Sequence, residues 1–143
     1  MITRQELDAA AATLLVDAAE AHALNIGVPQ NIAVVDAGGR LLAFRRMDGA
    51  KFHSVDTALA KAVTAASIAA PTGGAPHEAG ALVGITTRGA FTNLKGGLPI
   101  LVDGHVAGAI GVGSGAPDED IAVARAAVEA LEKASGKGTG TAV

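Results

Sequence analysis

The chain has 143 residues, 50% of them apolar, 17% charged and only three aromatic (Phe44, Phe52, Phe91), with a net charge of −3 and no cysteine. That length supports one domain with its own aliphatic core, and the missing cysteine excludes disulfides and thiolate metal centres. The acidic balance without a basic cluster argues against nucleic acid as a partner. No apolar run approaches the roughly 18 residues of a membrane span, and the start of the chain has no signal-like pattern, so a cytoplasmic location is expected.

Thr3 and Glu6 stand at capping-box spacing ahead of Leu7, Ala11, Leu14, Leu15, Ala18, Ala21 and His22. Their steps of three and four predict a helix with one apolar face, stopped near Asn25 by Gly27 and Pro29. His22 falls on or beside that face, as a packing residue or as a ligand whose direction the helix fixes. Ile32 to Val35 form an apolar run, Asp36-Ala37-Gly38-Gly39 supplies a tight turn, and Leu41 to Phe44 return as a second strand. Arg45-Arg46-Met47-Asp48-Gly49 then concentrates charge where the strand leaves the sheet, which marks either a site or a solvated strand end.

Ser54 or Asp56 opens a second helix through Ala70, with Val55, Ala58, Leu59, Ala62, Val63, Ala66 and Ile68 as its apolar positions. Lys61 and Thr64 interrupt it, and Lys61 reads equally as a solvated face or as part of a site. Pro71 to Arg88 is an irregular excursion with one helical turn, Glu78 to Val83, and an exposed His77; so long a loop is functional or mobile. Gly96 to Val102, the turn Asp103-Gly104 and His105 to Val112 predict a second hairpin. Its glycines weaken a strand unless another backbone or a ligand approaches closely. Pro117, Asp118, Glu119 and Asp120 suit the first turn of a last helix running to about Ala134, with Ile121, Ala124, Val128 and Leu131 buried. Residues 1–135 are read as one domain and 136–143 as a disordered tail. Hairpins outnumber crossovers, so the fold class is α+β, with a mainly antiparallel sheet and helices packed on it. Phosphate-loop, zinc-protease and nucleophile-elbow patterns do not occur.

Three blocks carry a family resemblance: IAVVDAGGRLLAFRRMDGA (32–50), SVDTALAKA (54–62) and GGLPILVDGHVAGAIGVGSGAPDED (96–120). In this order they resemble the GlcG/HbpS-like family, which includes the C-terminal domain of PduO-type proteins. The resemblance implies a profilin-like α/β fold: an antiparallel sheet of about five strands flanked by helices, assembled into dimers or larger. It also implies haem as the cofactor, since several members bind it. The family pattern falls on Asp36, Gly39, Arg46, Met47, Asp48 and Gly49, then on Ser54, Lys61, Ala62 and Thr64. In the third block it falls on Gly96, Gly97, Pro99, Gly104, Gly108, Gly111, Val112 and Asp120. Gly113-Ser114-Gly115 and Ile121 depart from it at the last strand–helix junction.

Two functions follow from these residues. One is binding of haem or a small anionic ligand through Arg46, Asp48, Ser54, Lys61, Gly96 and Gly97, as an accessory to a catabolic pathway. His22 is the haem-ligand candidate among His22, His53, His77 and His105, and Arg45, Arg46, Lys61 and Arg88 are the cations for propionates. The other is a lyase or isomerase acting on an organic acid in a cleft between the first hairpin and the second helix, with Lys61 or Asp48 as base. No metal site is expected. The small-residue faces at Ala58, Ala62, Ala65, Ala66 and Ala69 and at Gly108 and Gly111 predict a homo-oligomer.

Overall fold

Ile32 to Val35, apolar on both faces, form the first of two central strands in the computed structural model, which describes residues 1–136. In chain order the elements are α1 (Ala9–Ile26), β1 (Asn31–Asp36), β2 (Leu41–Arg46), α2 (Ser54–Ile68), α3 (His77–Thr86), β3 (Gly97–Val102), β4 (His105–Gly113) and α4 (Pro117–Ser135). The sheet runs β2-β1-β4-β3, with every neighbouring pair antiparallel. It has four strands where about five were expected. Residues 87–95 run instead as turns and bends, and side chains satisfy part of their backbone: Thr64 Oγ1 accepts from Thr92 N at 3.0 Å.

Strand alternation sorts the core into two unequal layers. Ile32, Val34, Ile110 and Val112 face α1 and α4, where Leu15, Val16, Val123 and Val128 complete the larger cluster. Ala33, Val35 and Ala109 face α2, and there Ala58, Ala62, Ala65 and Ala66 form a layer of small side chains. That layer is thin because α2 lies almost on the sheet. A Cβ added at Gly111 would collide with Ala58 O and would stand 2.5 Å from Ala62 N, and one at Gly97 would collide with Lys61 O. The strand glycines therefore set how closely α2 docks, the close backbone approach that glycine within a strand implies.

Both hairpin turns take the form their residues dictate. Gly39 closes the first at φ 82°, while Asp36 Oδ1 accepts from Gly38 N and Arg40 N. Asp103 and Gly104 form the second at φ 52° and 80°, the double positive φ of a type I′ turn.

Four helix details differ from expectation. α1 begins at Ala9 rather than after Thr3, because Asp8 is the N-cap and accepts from Ala11 N at 2.8 Å. Its buried face, Ala12, Leu15, Val16, Ala19 and Ala23, leaves Leu14 and His22 half-buried at the margin and Ala21 exposed. α4 turns Asp120, Val123, Ala124, Ala127 and Val128 inward, so Asp120 rather than Ile121 begins the buried face. The excursion after Pro71 holds a ten-residue helix, α3, instead of a single turn. Leu82, Val83 and Ile85 on it are exposed, as are His77 at its start and Ile68 at the end of α2. Gly136 closes α4 at φ 66°; the rest of the expected tail, 137–143, lies outside the described residues. No helix among the described residues is long and apolar enough to cross a membrane.

Candidate functional site

Helix α2 carries a polar pair where its alanines predict only packing. Ser54, Ala58, Lys61 and Ala65 share the face against the sheet, so Lys61 enters the interior rather than a solvated face; the whole residue is 4% exposed. An isolated buried ammonium is too costly to persist, and this one is engaged on two sides. Its Nζ donates to Val112 O at 2.8 Å and to Asp120 Oδ2 at 3.0 Å. Asp120 comes from the first turn of α4, is 3% exposed, and accepts a second hydrogen bond on Oδ1 from Gly115 N at 3.0 Å. Burial raises its carboxyl above the usual 3.8, against the lowering pull of the Lys61 charge and its hydrogen bond. Gln30, fully buried beside the pair, makes a smaller lowering contribution, although its amide has no hydrogen bond of ordinary geometry.

Above this pair opens a cleft of about 310 Å³, at the low end of ligand-pocket sizes. Lys61, Asp120 and Ser54 lie in its lining, with Lys51, His53, Leu94, Lys95 and Ser114 around them. The mouth is assembled from three loops. Lys51 is held on two sides: its carbonyl accepts from Asn31 Nδ2 at 2.9 Å and its N–H donates to Ser114 Oγ at 2.8 Å. Ser114 takes φ 104°, a left-handed conformation that costs a non-glycine residue about 1–3 kcal/mol and that clusters at functional sites. His53 is exposed, and Phe52, 80% exposed, meets it edge-on with ring centroids 6.0 Å apart.

The residues singled out by sequence divide. Ser54 and Lys61 line the cleft, while Gly96 and Gly97 pack against Lys61 without lining it: a Cβ on Gly96 would stand 3.1 Å from Lys61 Nζ, and one on Gly97 would collide with Lys61 O. Arg46 and Asp48 are exposed at the end of β2 and in the turn beyond it, and neither lines the cleft. Arg45 is occupied by Asp17 at 3.1 Å and Glu20 at 2.8 Å on α1. His22 does not line the cleft either; His105 borders a separate hollow with Arg4, and Arg88 another beside α2. Lys51, Lys95 and Ser114 were missed as site residues, since their loops are distant in sequence. Asp120 matched the family pattern, but its acidic run was read as complementing the helix dipole. Its phase with Ala124, Ala127 and Val128 was the available sign that it points inward. Among the described residues no group of three or more metal-ligating side chains occurs.

The profile of the family described as "Haem degrading protein HbpS-like" matches residues 7–129. A 15.0 kDa protein from the dhaT-dhaS intergenic region of Citrobacter freundii is 36% identical over 129 residues, which are 87% of this chain and 91% of that protein. The solved structure of Klebsiella pneumoniae protein ORFY superposes with a TM-score of 0.84 at 30% identity, covering 92% of this chain and 94% of that one. The structure of a PduOC–haem complex superposes with a TM-score of 0.77 at 26% identity, covering 87% and 94%.

Proposed function

The chain belongs to the HbpS-like family, and from that membership we propose that it binds haem at the mouth of the cleft over the Lys61–Asp120 pair. The observation that carries this reading is the superposition, over most of the chain, on a relative crystallised with haem. The mouth supplies what a porphyrin requires. His53 offers an imidazole donor, the exposed Phe52 and Leu94 offer apolar surface, and Lys51 and Lys95 offer positive charge for propionates. The bound iron would supply redox chemistry; the residues of this chain hold and orient the ring.

Absorbance titration of the haem-free protein with haemin tests the reading. A saturable shift of the Soret band is expected, lost in His53→Ala and kept in His22→Ala. A shift lost only in His22→Ala moves the donor to α1 and overturns the cleft as the site. No specific shift at all overturns haem binding.

The small size of the cleft leaves much of a porphyrin uncovered by one chain. Exposed Leu82, Val83 and Ile85 on α3, together with Ile68, present the apolar surface that a second copy would bury. We therefore propose a homo-oligomer, checked by light scattering at micromolar concentration. A dimer mass or larger is expected, and a monomer mass contradicts it.

A further inference from the structure

We propose that the floor of this cleft is a seat for a single carboxylate group, held by the Ser54 hydroxyl and the third N–H of Lys61. Ser54 is 5% exposed and lines the cleft, yet among the described residues its hydroxyl has no hydrogen-bond partner. That hydroxyl opens onto the cleft rather than being sealed in the interior, so it is free to donate to an occupant there. Lys61 Nζ carries three N–H donors and spends two, on Val112 O and Asp120 Oδ2. The third remains at an atom whose residue lines the same cleft.

Charge selects an anion. Lys51, Lys61 and Lys95 stand against Asp120 in the lining, three positive groups to one negative, in a chain whose net charge is −3. Gly115 and Pro117 of the lining bring the N-terminal end of α4 to the cleft, adding the positive pole of a helix of 19 residues. Gly115 also keeps the floor open. Its φ is not positive, but a Cβ there would lie 2.9 Å from Asp120 Oδ1 and 2.7 Å from Gln30 Nε2, so a larger residue would push both buried side chains aside.

The donor count then favours carboxylate over phosphate. Two donors on separate side chains match the two oxygens of one carboxylate, and a charge of −1 suffices. A phosphate dianion would leave oxygens without donors and place its second charge beside the Asp120 carboxylate. The cleft volume suits an acid of a few carbons, and the same seat suits the propionate arm of a porphyrin. The seat does not depend on haem binding.

Calorimetric titration of the haem-free protein with sodium propionate and with inorganic phosphate tests it, beside Ser54→Ala checked for an unchanged melting temperature. Propionate is expected to bind at least tenfold more tightly than phosphate, and Ser54→Ala to weaken propionate about tenfold, as for a lost hydrogen bond to a charged group. No propionate binding by the parent chain, equal propionate affinity in Ser54→Ala, or phosphate binding as tight as propionate each overturns the seat. If Ser54→Ala does not keep the parent's stability, Ser54→Cys, which keeps the shape and weakens the donor, takes its place under the same criteria. Haemin and its dimethyl ester then separate the two sources of the carboxylate. Weaker binding of the ester places a porphyrin arm in the seat; equal binding leaves the seat to free acids. Propionate binding without any haemin binding overturns only the haem reading.

Discussion

Lys61→Met is expected to destabilise the chain by about 3–5 kcal/mol, because it leaves the Asp120 carboxylate buried without its counter-charge. A lysine on a solvated face would cost almost nothing to replace, so the size of the effect separates the two placements. The double variant Lys61→Met/Asp120→Leu is expected to recover most of the loss, since it removes both desolvated charges and fills the space with apolar side chains. Such recovery would mean that the pair is not retained for stability. The pH dependence follows from Asp120, whose carboxyl is raised above 3.8 by burial. A raised carboxyl contributes stability that is full below its unfolded pKa and is lost as pH rises through its folded value. Removing Lys61 takes away the opposing pull and raises that folded value further, so the deficit of Lys61→Met should grow from mildly acidic to neutral pH. Denaturant unfolding of the three proteins at two pH values measures this. A single variant as stable as the parent would contradict the buried pair.

Gly111→Ala is expected to cost about 3 kcal/mol, at the upper end of the range for overpacking. The new methyl would collide with Ala58 O and approach Ala62 N to 2.5 Å, and both atoms belong to the α2 backbone. Backbone cannot rotate away as a side chain can, so the whole helix must rise from the sheet. The displacement carries Ser54 and Lys61 with it, away from Asp120 on the opposite helix. Stability and ligand affinity should therefore fall together in this variant, although Gly111 lines no part of the cleft. Unfolding at the parent's denaturant midpoint would show that α2 does not rest on the strand.

The parts of the fold that were legible are those dictated by local chemistry. Asp36 to Gly39 and Asp103-Gly104 fix two turns through positive φ, and Gly27 ends α1 at φ 71° in the same way. The phase of α2 was harder to read. Alanine on every side gives its faces nearly equal hydropathy, so Lys61 had no visible inside or outside until Gly97 and Gly111 placed the helix against β3 and β4. Asp120 was obscured by its neighbours Asp118 and Glu119, which do complement the helix start. The cleft mouth joins Lys51, Lys95 and Ser114 across three loops, and no spacing rule connects them. Arg45 shows the converse: its charge at the strand exit serves ion pairs with α1.

The location of the ligand is tested most directly by two-dimensional amide NMR of the chain titrated with a diamagnetic gallium protoporphyrin. Shifts concentrated at Lys51 to Ser54, Leu94 to Lys95 and Ser114 to Gly115 are the predicted result. Shifts confined to α1 around His22, with the cleft amides unmoved, would contradict it.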